Sequence, residues 1–384
     1  MKGNGRAAAA AANGVANGHG RATAPVVLRG GGGGRARTAL VAGGAGFLGS
    51  HLCDLLLADG CRVVALDSLL TGRRENLAHL AREPRFSLVE ADVNDPAPPA
   101  LARLRADLVF NLACAASPPQ YQADPEHTMM TCVLGTRNLL RLAEGWGARF
   151  LLASTSEVYG DPEAHPQGED YRGNVSCTGP RACYDEGKRA AEALAGDFAR
   201  AGRCEVRVAR IFNTYGPRMR PDDGRVVSNV VVQALAGEDV TVYGDGSQTR
   251  SFCYADDLVD GLARLMALDG PVVPAAVNLG NPVELTVSDL VAKVLAMTGS
   301  PSRVVARPLP VDDPRRRRPD ISLARDLLGW SPRTPLEAGL RATVAWFAGE
   351  GAPVRAALAS AAGDGGGARR GAAAAPRAAA PAAG

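Results

Sequence analysis

The sequence predicts an α/β protein in which a doubly wound parallel sheet is interleaved with a smaller C-terminal lobe. Three observations carry this. From Thr38, short β-branched and aliphatic runs alternate with longer segments of helical period, as expected for a parallel sheet covered by helices on both faces. A glycine-rich turn, GGAGFLG at 43–49, joins the first run to the first helical segment. Beyond residue 212 the alternation loosens into loops rich in Gly, Pro and Asp with scattered helices.

In chain order, strands are expected at TALVAG (38–43), RVVALD (62–67), FSLVE (86–90), DLVFNL (107–112), RFLLAS (149–154) and CEVRVARI (204–211). Segments 47–58, 127–145 and 184–200 carry apolar residues at i, i+3 and i+4, the spacing of crossover helices. In the second half helices are expected at 226–236, 256–268 and 286–298, and the run VNLG (277–280) reads as a strand that rejoins the main sheet. The chain therefore divides into residues 37–212, a sheet domain, and 213–350, mainly a lobe with segments returning to it. Residues 1–36 and 355–384 are mostly Ala, Gly, Arg and Pro and are expected to lack fixed structure. There is no internal repeat.

The 384 residues allow two domains, or one large core with a lobe, and a buried cleft. A 46% hydrophobic, 22% charged composition excludes collagen, coiled coil and a mostly disordered chain. The formal charge of +3 gives no bias toward nucleic acid. The run Ala7–Ala12 is too short and too poor in Leu for a targeting segment, and no window approaches the roughly 18 apolar residues of a membrane span. A soluble, cytoplasmic protein is expected. The eight cysteines form no CxxC pair and no metal-type cluster with the five histidines, so reduced thiols and no metal site are expected.

In 43–49, Gly43, Gly46 and Gly49 have GxxGxxG spacing, and Gly44, Gly46 and Gly49 also fit GxGxxG. Glycine is needed where backbone turns sharply and approaches a pyrophosphate, leaving helix N–H groups to bind it. By itself the motif is equally a tight strand-to-helix turn; between this strand and this helix it reads as a Rossmann-type dinucleotide site. Asp67 ends the second strand eighteen positions after Gly49, where a carboxylate accepts hydrogen bonds from an adenosine ribose, favouring NAD over NADP. Arg73 and Arg74 leave open a contact with a 2′-phosphate, which Asp67 would repel. Asp92 and Val93 end the third strand and are candidates to flank the adenine.

Tyr184 and Lys188 form YDEGK, one helical turn apart and on one face. An ammonium near a phenol lowers its pKa, fitting it to exchange a proton with a substrate alcohol. The pair also occurs by chance on exposed helices; its context is STSEVYG (154–160), at the sheet edge where such folds place ligands. There Thr155 is a hydrogen-bond partner for the oxygen that Tyr184 deprotonates, Ser156 a donor and Glu157 a base or anion. Individually each has a plain reading as strand-end hydroxyl, turn former or solvated acid.

With these residues in view, about residues 38–340 resemble the extended short-chain dehydrogenases/reductases that modify nucleotide sugars, and within them the UDP-glucuronate decarboxylase (UDP-xylose synthase) family. The resemblance runs through GGAGFLGSHL, ASPPQY (116–121), STSEVYGDP, CYDEGKR (183–189), ARIFNTYGPRM (209–219), DDGRVVSN (222–229), QTRSFCY (248–254), NLGNP (278–282) and DDPRRRRPDI (312–321). It implies a bound NAD that is reduced and reoxidised within one cycle, conversion of UDP-glucuronate to UDP-xylose through a 4-keto intermediate, and a homodimer built on helices 127–145 and 184–200. Thr155, Ser156, Glu157, Tyr184, Lys188 and Arg317 are implied as catalytic, with Glu157 and Arg317 separating decarboxylation from 4-epimerisation. A solvated loop is the alternative for Arg315 to Arg318, and fits at least two of the four.

The resemblance further implies UDP-sugar contacts from Pro118, Tyr121, Asn213, Arg218, Arg225, Arg250 and Tyr254, with Thr241 to Tyr243 near the uracil. Phe47, Leu48, Leu112 and Thr131 complete the candidate cofactor contacts. Two departures stand out: Cys132 occupies a position where the family pattern leads one to expect Asn, and the loop VNDPAPP (93–99) lacks an expected Glu. Rival readings are a decarboxylase releasing the 4-keto pentose and NADH, a nucleotide-sugar 4-epimerase, a 4,6-dehydratase and a non-catalytic NAD-binding regulator. The 4,6-dehydratase would carry Asp where Ser156 stands, and the regulator would have no need of an activated phenol.

Overall fold

The computed structural model describes residue 28 and residues 36–270, 276–309 and 316–349. Its strands are β1 (Thr38–Ala42), β2 (Arg62–Asp67), β3 (Phe86–Glu90), β4 (Leu108–Asn111), β5 (Arg149–Thr155), β6 (Val206–Ile211), β7 (Thr214–Tyr215), β8 (Val240–Tyr243), β9 (Thr249–Ser251), β10 (Cys253–Tyr254), β11 (Ala276–Leu279), β12 (Glu284–Thr286) and β13 (Val304–Arg307). Seven of them form one sheet in the order β11-β6-β5-β4-β1-β2-β3, parallel throughout. The order reverses between β1 and β4. The crevice beyond the carboxyl ends of these two strands is where doubly wound sheets bind their ligands.

Strands buried on both faces need apolar residues at every position, and β1, TALVA, is buried along its whole length. One face of the sheet is covered by an apolar layer that includes Leu52, Leu56, Leu258, Leu262 and Trp330. The other is covered by a layer including Leu139, Leu140, Ala191, Ala195 and Phe198. The first comes from the helices Phe47–Ala58 and Ala255–Ala267, together with Trp330, and the second mainly from the helices Thr136–Trp146 and Ala182–Arg200. A third cluster, around Val230, Val231, Leu290, Val294 and Phe347, forms the core of the lobe. β11 pairs with β6, so the run 277–280 rejoins the main sheet as its sequence implies.

Two expectations change. The helix expected at 127–145 is not uniform: Pro125–Met130 and Thr136–Trp146 are joined by a wide π turn, Thr131–Gly135. Within 1–36, Leu28 is buried in the first apolar layer and its N–H donates to the Asp59 carboxylate, so absence of fixed structure fails at that residue. Segment 355–384 lies outside the described residues. No helix among the described residues is long and apolar enough to cross a membrane.

Candidate active site

The glycine turn is shaped by close approach. Gly43 has φ +78°, and a Cβ there would lie 2.7 Å from the Leu112 carbonyl; at Gly49 a Cβ would lie 1.9 Å from the Gly43 carbonyl oxygen. Both positions exclude a side chain, the first by conformation as well. Gly46 precedes the helix Phe47–Ala58 and has no side chain to cap its first N–H groups, leaving them to a ligand. Gly43, Gly46, Phe47, Leu48, Gly49 and Leu112 line a cavity of about 180 Å³ that runs on to Thr155, Ser156, Glu157, Tyr184 and Lys188.

Beside it, a smaller cavity of about 70 Å³ is lined by Asp67, Asp92, Val93 and Thr131. The Asp67 carboxylate accepts from the N–H groups of Ala45 (2.9 Å) and Leu69 (2.8 Å). Burial raises its pKa against these hydrogen bonds. Asp92 is paired with His127 at 2.7 Å. Arg73 departs from expectation: it does not line either cavity, and its Nε is 3.6 Å from Glu75. Arg74 pairs with Glu90. With a buried acid at the end of β2 and both arginines engaged elsewhere, the cradle fits a dinucleotide with a free ribose hydroxyl, as in NAD, better than one with a 2′-phosphate.

At the catalytic end, Tyr184 and Lys188 are both buried on the helix Ala182–Arg200. Lys188 Nζ donates to the Ala153 carbonyl at 2.9 Å and lies 5.8 Å from the centre of the Tyr184 ring. Thr155, at the end of β5, is near enough to the Tyr184 hydroxyl to favour its ionised form. Tyr121 stacks on Tyr184 with ring centres 5.0 Å apart and planes 2° from parallel. The phenol is not acidified as the sequence implies. Burial holds the Tyr184 pKa well above its ordinary value, and the nearby Cys114 and Cys132 add to this. Desolvation of the anion outweighs an ammonium that is directed at a backbone carbonyl.

A third cavity, about 330 Å³, is lined by Pro118, Tyr121, Asn213, Arg225, Thr241, Tyr243, Arg250 and Arg317. The buried hydroxyl of Tyr121 has no hydrogen-bond partner, an arrangement that suits a polar ligand. Arg225 is engaged by Asp223, and Arg218, which lines the first cavity, is 2.7 Å from Asp54. Tyr254 lines none of the three cavities. It packs edge-on against Tyr215 at 5.7 Å, over a glycine, Gly339, whose Cβ would lie 2.8 Å from it. It is a packing residue of the lobe rather than the expected substrate contact.

Glu157 ties the cavities together. Arg317 holds one of its carboxylate oxygens and Arg181 the other, at 2.6 Å. Burial would raise its pKa, but the two guanidinium groups outweigh burial and lower it, so Glu157 is a carboxylate at neutral pH. Arg317 also donates to the Gly160 carbonyl at 2.9 Å. It faces inward because its segment is pinned by isolated bridges to Arg250 and, at Pro319, to Gln167. Arg316 is exposed and Arg318 half-buried; Arg315 lies outside the described residues.

Arg181 is a site residue that the reading of the sequence missed. Its signal was present, since it lies three positions before Tyr184 and so about one helical turn away. The same cluster raises Asp185 to about 7, first by burial and then by repulsion from Glu157.

Comparison with known proteins agrees with this geometry. Residues 39–280 match the NAD dependent epimerase/dehydratase family. UDP-glucuronic acid decarboxylase 1 of Danio rerio is 50% identical over 81% of this chain and 72% of its own, and UDP-glucuronic acid decarboxylase 1 of Arabidopsis thaliana is 52% identical over 80% and 69%. UDP-glucuronic acid 4-epimerase from Bacillus cereus, solved with UDP-glucuronic acid and NAD, superposes with a TM-score of 0.73 at 26% identity, covering 80% of this chain and 98% of that one. The chain belongs to the NAD dependent epimerase/dehydratase family, on its UDP-glucuronic acid decarboxylase branch.

Proposed function

We propose that this chain decarboxylates UDP-glucuronate to UDP-xylose, with NAD reduced and reoxidised in the same active site. The observation that carries the reading is the ionised Glu157 held between Arg317 and Arg181, where the sugar cavity meets the Tyr184 cleft.

The glycine turn and Asp67 would hold NAD, which would supply a hydride acceptor and then a hydride donor for sugar C4. Tyr184 first releases its own proton to solvent and then, as the phenolate, takes the proton of the 4-hydroxyl while Thr155 holds the same oxygen. Lys188, anchored on the Ala153 carbonyl, keeps a positive charge beside the phenolate until it takes that proton. Once C4 is a ketone, the C5 carboxylate is β to a carbonyl, so the electrons of the breaking C5–C6 bond pass onto the C4 oxygen. Tyr184 and Thr155 meet that oxyanion with fixed hydrogen bonds. Arg317 and Arg181 give the substrate carboxylate a cationic setting. Ionised Glu157 opposes it with like charge, which favours loss of a neutral molecule, CO2. A solvent proton delivered to C5 on the Glu157–Arg317 side, then hydride return at C4 with the Tyr184 proton passing back to the C4 oxygen, complete the pentose.

In this reading residues 37–212 hold the cofactor and 213–350 mainly the UDP-sugar, with Arg225 and Arg250 on the pyrophosphate. A homodimer pairing helices 125–146 and 182–200 across a two-fold axis belongs to the same proposal, and a monomeric sedimentation mass at micromolar protein contradicts it. A cytoplasmic location is likewise proposed, to be checked by fractionation. The function is tested by incubating the purified protein with UDP-glucuronate and catalytic NAD. CO2 and UDP-xylose in equal amounts without accumulating NADH support it. CO2 with accumulating NADH marks a 4-keto pentose product, and UDP-galacturonate without CO2 marks an epimerase.

A further inference from the structure

Two cysteines meet at the seam between the cofactor cleft and the catalytic helix. The sulfur atoms of Cys114 and Cys132 are 3.5 Å apart. Cys114 lies on the irregular loop after β4 and lines both the main cleft and the adenosine-side cavity. Cys132 is buried in the wide turn Thr131–Gly135. It rests against Gly187, where a Cβ would lie 3.0 Å from the Cys132 Cβ and 3.2 Å from its sulfur. Gly187 stands between Tyr184 and Lys188, so the thiol pair touches the helix that carries both.

We propose that Cys114 and Cys132 are an oxidative modification site, at which a small-molecule disulfide converts the two thiols to an intramolecular disulfide that disables the cofactor cleft. A disulfide bond is about 2.05 Å long, and the gap is closed by an irregular loop and a wide helical turn, the two kinds of backbone most able to yield. Cys132 is pulled down to about 7, first by the hydrogen bond from Cys114 and also by Lys188, against burial. The pair therefore holds a thiolate near neutral pH, with one proton shared between the two sulfurs. The same hydrogen bond and burial hold the Cys114 thiol pKa well above its ordinary value. The anion therefore rests on Cys132 and reaches Cys114, the sulfur that opens on the cleft, only by transfer of the shared proton.

The Cys114 thiolate attacks the small disulfide RSSR, forming Cys114–S–SR and releasing RS⁻. The Cys132 sulfur then attacks Cys114 Sγ, releasing a second RS⁻. The two protein sulfurs are oxidised to the disulfide and one external disulfide is reduced; the single proton of the pair passes to one departing thiolate, and solvent protonates the other. The cleft responds because the loop carrying Cys114 forms its wall: at Gly43 a Cβ would lie 2.7 Å from the Leu112 carbonyl and 2.9 Å from the Ala113 nitrogen. Drawing Cys114 toward the helix displaces the surface on which the glycine turn rests.

The inference rests on the cofactor-cleft reading but not on the sugar chemistry, and its test needs no sugar. The full chain, NAD-free or NAD-loaded, is treated with oxidised glutathione, alkylated, digested and mapped by mass spectrometry, and NAD binding is titrated before and after reduction with dithiothreitol. The expected result is a Cys114–Cys132 linked peptide, loss of NAD binding, and recovery on reduction. NAD at about ten times its dissociation constant should slow linkage about tenfold, in proportion to the fraction left free. Cys132→Ser should instead trap glutathione on Cys114. Full alkylation of both cysteines after oxidation, linkage to a different cysteine, or a linked pair that still binds NAD normally would each overturn the proposal. If the variant does not fold, the peptide map of the unaltered chain decides alone.

Discussion

Burial holds Tyr184 protonated at rest, so it must lose that proton before it can take one from the sugar hydroxyl. Tyr184→Phe should lower turnover by about 10³-fold while leaving NAD binding within a few-fold, measured by initial rates and cofactor titration; an unchanged rate would remove the phenol from the chemistry. Glu157→Gln and Arg317→Ala should each cut CO2 release by about 10²-fold or more, with reduction of NAD on adding UDP-glucuronate retained. If CO2 release is unaffected in both, the Glu157–Arg317 pair is structural. Tyr184, Lys188, Thr155 and the glycines were legible because a short local pattern specifies each. Arg317 was legible only through resemblance, since its contact with Glu157 spans 160 residues of chain and no local spacing foretells it. The behaviour of the phenol was misread because a neighbouring ammonium is visible in sequence, whereas the direction of its hydrogen bond and the depth of burial are not.

The glycine turn and its helix form one element, and Gly49 is where it is least tolerant. Gly49→Ala puts a methyl 1.9 Å from the Gly43 carbonyl oxygen. This should cost about 1–3 kcal/mol in denaturant unfolding and abolish NAD retention; wild-type affinity in that variant would show that the turn does not bind the cofactor. The sheet strands were read within a residue or two because fully apolar runs between turns have few other solutions in an α/β chain. The wide turn at Thr131–Gly135 was not read, since apolar spacing in a window of 127–145 barely registers a single wide turn. It is associated with the packing of Cys132 against Gly187, which is a tertiary contact. The lobe strands β7 to β10, β12 and β13 are each two to four residues long, too short to show a period.

Across the whole molecule, the Arg317–Glu157–Arg181 cluster couples the site to pH through Asp185, whose pKa rises from 3.8 to about 7 on folding. An acid whose folded-state pKa is raised stabilises the fold most below its unfolded value and loses that stability as pH rises through the folded one. Asp185→Asn should therefore gain stability relative to the parent progressively between pH 4 and about 7 and level off above, read from melting temperatures across that range; a constant difference would contradict the assignment. The meeting of sheet edge, lobe and the 316–320 segment at one carboxylate is what the account asks to be tested. The most direct measurement is turnover of UDP-glucuronate carrying deuterium at C4, with NAD in trace amount and the product followed by mass and NMR. UDP-xylose that keeps the deuterium at C4 and gains one solvent hydrogen at C5 is the expected product. Loss of the C4 deuterium to a free NAD pool, or a product left as the 4-ketone, would contradict a closed cycle of hydride removal and return.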